Sequence, residues 1–138
     1  DAIRRDRLQL LEPAIAQLES VARFDPQSAT AQRRLGQIKL SLGDLAQAKA
    51  HLEAAAAIHP NERVARQLLG EIYALEGDAE AAARMWSTLQ LGQRQLETRL
   101  AWYTETNNEL GARRLADAIQ LTALVLTQQQ AGTQGETK

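Results

Sequence analysis

Two stretches, ATAQRRLGQIKLSLGD at 29–44 and RVARQLLGEIYALEGD at 63–78, carry the same marks 34 residues apart. Leu35-Gly36 recurs as Leu69-Gly70, and Gly43-Asp44 recurs as Gly77-Asp78. Gly111 stands one period further on. Pro26 and Pro60 keep the same spacing, as do Ala14, Ala48, Ala82 and Ala116, and Leu18, Leu52 and Trp86 hold a second register. A fixed period of this length marks stacked supersecondary units.

Each repeated residue has a mechanical use. Leu35, Ile38 and Leu42 fall at helical spacing and predict an amphipathic helix. Gly43 can end it in the left-handed region. Asp44 then serves as N-cap of a second helix, with Gln47 completing a capping-box pattern. Ala48, Leu52 and Ala55 form the inner stripe of that helix, and Pro60 closes it. The small Gly36 and Ala48 let the two helices cross closely. The next unit repeats this with Leu69, Ile72 and Tyr73, the Gly77-Asp78 turn, then Ala82, Trp86 and Leu89. Its exit differs, because Arg94 stands where the proline would and Gly92 can end the helix instead.

The pattern Leu35-Gly36, Gly43, Ala48, Leu52, Ala55 and Pro60, followed by Leu69-Gly70, Tyr73, Gly77, Ala82 and Trp86, resembles the tetratricopeptide repeat family. The resemblance implies an all-α fold, an α-solenoid of antiparallel helix pairs in a right-handed superhelix. It divides the chain into a partial N-terminal repeat at 1–28, full units at 29–62 and 63–96, a degenerate unit at 97–130 and a flexible polar tail at 131–138. In the degenerate unit Leu100, Tyr103, Gly111, Ala116 and Ala123 keep the register. In the first segment the residues fit either two helices or one running through Pro13.

Composition sets outer bounds. The chain has 138 residues, 44% hydrophobic and 24% charged, with a net charge of -1 and no cysteine. That is the make-up of a folded globular chain. Its interspersed charges give no push toward nucleic acid. The absence of cysteine removes disulfides and thiolate chemistry. No stretch nears the ~20 apolar residues of a membrane span. The chain opens on Asp1 without a Met or a signal peptide, and reads as a piece of something longer or a processed product. The sequence assigns no compartment.

The resemblance also implies a concave groove lined by the first helix of each unit, of the kind repeat proteins use for binding. Its candidate residues are Arg33, Gln37, Gln67, Glu71, Glu105 and Asn108, running from a basic to an acidic end. The lysine, arginine and asparagine set with which some family members clamp a C-terminal carboxylate is missing, so that mode is disfavoured. Trp102 beside Tyr103 reads by default as packing, with a partner-binding anchor as the alternative. The last helix is apolar on nearly every side and is expected to expose Leu121, Leu124 and Val125, a patch suited to another copy or a partner domain.

No catalytic set emerges. Asp44 and Asp78 recur because they cap helices, His51 and His59 lack a third ligand for a metal, and no glycine-rich phosphate loop is present. Glu71 and Glu105 are 34 apart and read as an acidic face or a cation site. The expected function is non-enzymatic protein or peptide binding in the groove, without cofactor, metal or nucleic acid. The alternative is self-assembly, as a homo-dimer or larger, through the apolar last helix.

Overall fold

The computed structural model describes residues 2–136, which form seven helices and no strand. They are α1 (Ala2–Phe24), α2 (Ala29–Ser41), α3 (Leu45–Ile58), α4 (Arg63–Leu75), α5 (Ala79–Thr88), α6 (Gln93–Glu105) and α7 (Glu109–Glu136). The chain divides into two compact units, Asp1–Leu69 and Gly70–Lys138.

In the first unit, α1 runs unbroken through Pro13. Its buried side explains why. Leu8 and Leu11 before the proline, and Ile15, Leu18 and Ala22 after it, pack on Leu35, Ile38 and Leu42 of the next segment. Packing on both sides of the proline outweighs the ~3 kcal/mol that an interior proline costs. Ser28 caps α2, its hydroxyl accepting from the Ala31 amide at 3.2 Å. Helices α2 and α3 then pair at Gly36, where an added Cβ would lie 2.6 Å from Cγ of Leu52. Gly43 takes φ +82° at the turn.

The expected capping box at Asp44 does not form. Asp44 occupies the N-cap position of α3 without accepting from the helix backbone. Its carboxylate takes a hydrogen bond from Arg4 at 2.8 Å, while the Arg4 Nε donates to the Leu42 carbonyl at 3.0 Å. Arg4 of α1 therefore satisfies a carbonyl at the end of α2 and draws the Asp44 carboxylate away from the first amides of α3.

In the second unit Gly70 repeats the part of Gly36, since a Cβ there would meet the indole of Trp86, 2.8 Å from Cδ1. Gly77 takes φ +92°, and Asp78 does cap α5, accepting from the Ala81 amide at 3.0 Å. Arg114 of α7 donates to the Leu75 carbonyl at 2.7 Å, the service that Arg4 performs in the first unit.

The third helix pair departs from the expected register. Helix α5 has 10 residues where α3 has 14, one turn fewer. Gln90 enters the left-handed region at φ 54°, and Gly92 caps α6. Helix α6 accordingly starts at Gln93, four residues before the expected 97. The turn after it is Asn107 at φ 60° and Asn108, whose side-chain oxygen accepts from the Gly111 amide at 2.9 Å. Gly111 is thus inside α7 and does not make the turn.

The polar stretch expected to be a tail continues α7 to Glu136. Gln and Ala are good helix formers, and Gly132 and Gly135 are a tolerable cost of about 1 kcal/mol each. Residues 137 and 138 of that stretch lie outside the described residues. Leu115, Ala118, Ile119 and Thr122 bury the inner side of α7, which packs on α5 and α6.

Candidate partner-binding surfaces

The six groove residues expected from the sequence meet different fates. Glu71 is not a surface ligand: it is 1% exposed. Arg99 grips its two carboxylate oxygens at 2.8 Å each, and the Tyr103 hydroxyl donates to one of them at 2.5 Å. The low exposure follows from the position on α4, where Leu68, Leu69, Ile72, Ala74 and Leu75 are also buried. Burial, and then the neighbouring Glu71 carboxylate, push the Tyr103 phenol well above its ordinary range. The hydrogen bond to Glu71 likewise holds Arg99 fully protonated.

Asn108 is a helix cap. Arg33 is half-buried and faces Glu62 at 3.6 Å. Gln67 is half-buried as well. Glu105 is exposed, beside Leu100, Ala101, Thr104 and Glu97 in a shallow depression on α6. A cation site between Glu71 and Glu105 is overturned, because Arg99 and Tyr103 occupy the Glu71 carboxylate.

Gln37 also reaches an open recess, a larger one, within its own unit. Between α1 and α2 lies a groove of about 480 Å³. Leu18, Val21, Ala31 and Ile38 give it apolar lining, and Gln17, Thr30, Arg34 and Gln37 give it polar lining. The sequence reading missed this site because it drew its groove residues only from the first helices of the units that begin at residue 29. The available signal was the apolar spacing of α1 on two sides: Leu8, Leu11, Ile15 and Leu18 on one, Leu10, Ala14, Val21 and Phe24 on the other.

Among the aromatic and apolar candidates, Trp102 is half-buried, while Trp86 is core. Leu121 and Val125 are half-buried, and Leu124 is exposed. Of the histidines, His51 Nδ1 lies 2.8 Å from Oε1 of Gln32 and His59 is exposed at the end of α3. Burial, aided by Lys39 and opposed by Glu19, lowers the His51 pKa below its ordinary 6.5. Among the described residues no group of three or more His, Cys, Asp or Glu side chains is placed to hold a metal ion. No helix among them is long and apolar enough to cross a membrane.

No curated protein matches the chain. Residues 9–66 match a family model described as tetratricopeptide repeat. That span takes in most of α1, the α2/α3 pair and the start of α4. Over that span, less than half of the chain, the sequence and the glycine-keyed pairing of α2 with α3 are similar to those of tetratricopeptide repeats.

Proposed function

We propose that the chain is a non-enzymatic scaffold that receives a partner helix, and that the α1/α2 groove is where the helix lies. The observation that carries this is the outer side of α1. Leu10, Ala14, Gln17, Val21 and Phe24 succeed one another at steps of three and four residues, the spacing that fits a second helix laid alongside. Leu10, Val21 and Phe24 are exposed. Exposed apolar side chains gathered on one face, rimmed by polar groups, suit an interface. The non-enzymatic reading is supported by Glu71, Arg99 and Tyr103, the titratable groups that converge, because they spend their bonding on one another.

The test is selection of helical peptides from a displayed random library. The expected binders are lost to a chain carrying Val21→Asp and Gln37→Glu, and kept by a chain carrying Glu105→Lys. Binders that ignore the first chain and are lost to the second would move the site to α6. A second reading, self-assembly through α7, is favoured by the exposure of Leu110 and Leu124.

A further inference from the structure

We infer that the partner helix is α7 of a second copy of this chain. This rests on the outer side of α1 being the docking face. Six large apolar side chains exposed on the first and last helices carry it: Ile3 (67%), Leu10 (81%), Val21 (41%) and Phe24 (90%) on α1, Leu110 (55%) and Leu124 (57%) on α7. Val64 on α4 is the one other exposed large hydrophobic among the described residues.

The two sets share a period. Ile3, Leu10, Gln17 and Phe24 are seven apart, as are Leu110, Asp117, Leu124 and Ala131, and all eight are exposed. Seven-residue spacing holds side chains on one helix face, and a slight supercoil absorbs the drift. An antiparallel pairing with Leu10 opposite Leu124 also sets Phe24 opposite Leu110 and Ile3 opposite Ala131. It sets Gln17 opposite Asp117, so the one polar residue on each seam meets the other, and the Gln17 amide can donate to the Asp117 carboxylate. A polar pair in an otherwise apolar seam fixes register at some cost in affinity. A parallel pairing that matches the polar residues leaves Ile3 beyond the start of α7. The antiparallel register uses all four positions.

The seam sets α1 of one copy on α7 of another, isologous if the two copies meet reciprocally and heterologous if they meet head to tail. It either closes reciprocally into a dimer or lets mass grow with concentration.

Sedimentation equilibrium of the native chain across the micromolar range tests this, beside Leu10→Glu/Phe24→Glu (the α1 variant) and Leu124→Glu (the α7 variant). These positions are exposed, so each variant should keep the native circular dichroism. The native mass is expected to exceed one chain, and each variant to weaken association by about tenfold or more. The decisive arm mixes the two variants. The intact α7 of the first then fits the intact α1 of the second, and a one-to-one complex forms that neither gives alone. Asp117→Lys should weaken association, and adding Gln17→Glu should restore it. A native mass of one chain throughout, association that survives both variants, or a mixture that fails to assemble would each overturn the inference. If the native chain is monomeric yet binds displayed helices at Val21 and Gln37, the second copy is excluded as partner and the groove stands. If neither is seen, both readings fall.

Discussion

Arg99 closes on Glu71 from 28 residues further along the chain, with 2.8 Å on each arm of a bidentate pair. The two ends of the pair are not equivalent. The Glu71 side chain is 2% exposed and the Arg99 side chain 34%. Arg99→Ala leaves a buried carboxylate without its counter-charge, a change that costs about 3–5 kcal/mol, expected at the lower end because the tyrosine hydroxyl remains. Glu71→Gln frees a guanidinium that already reaches water, so its cost is nearer the ~1–3 kcal/mol of a lost buried bond. Urea denaturation should rank Arg99→Ala as the more damaging.

Tyr103 gives the same network a pH signature. Its phenol ionises less readily folded than unfolded, so the stabilisation is complete below the ordinary value of 10.0 and is lost as pH rises beyond it. Tyr103→Phe should cost about 1.5–3 kcal/mol at neutral pH and flatten the alkaline fall in stability. A variant that keeps the native alkaline slope would contradict this.

His51 works at the acid end. Its folded pKa lies below 6.5, so stability is full above that value and declines as pH falls and the unfolded chain takes the proton first. The histidine resonances tracked by NMR should show His51 titrating below 6.5. His51→Gln, which can still bond Gln32, should reduce the acid-side loss.

Glycines 36 and 70 should resist substitution even though alanine is the better helix former by ~1 kcal/mol. Gly70→Ala drives a methyl into the Trp86 indole, and Gly36→Ala drives one against Leu52. Overpacking of this kind costs about 1–3 kcal/mol. Gly132→Ala meets nothing within 4 Å and should not lower the thermal midpoint. Equal effects at all three positions would remove the helix-crossing argument.

The two arginines at the glycine turns should differ in salt dependence. Arg4 donates to the Leu42 carbonyl but also pairs with Asp44, both side chains being substantially exposed (47% and 32%), so its ion-pair share contributes at most ~1 kcal/mol and fades in salt. Arg114 instead donates to a backbone carbonyl at 2.7 Å, and the effect of Arg114→Ala should persist at high salt.

The two glycine-keyed crossings were legible because steric need leaves a residue-level trace: Gly36 must be small where Leu52 is large, and Gly70 where Trp86 is larger still. The third pair was not legible at the same period. Losing one turn from α5 shifts the start of α6 by four residues, and Asn107 and Asn108 replace the Gly-Asp signal. Ala116 and Gly111 kept the spacing of 34 without keeping the structural position. Glu71 looked like a surface residue because glutamate usually is one, and nothing local in the sequence announces Arg99 and Tyr103. The Asp44 cap failed for a similar reason, since its competitor Arg4 is 40 residues away.

The α1/α2 groove is tested most directly by a backbone-amide NMR titration of the native chain with a helical peptide selected for binding. The largest shifts are expected to cluster on Gln17, Val21, Thr30, Gln37 and Ile38, and Val21→Asp should abolish them while the rest of the spectrum is unchanged. Shifts confined to α6 around Leu100 and Glu105, with the α1 and α2 amides unmoved, would contradict a groove between α1 and α2.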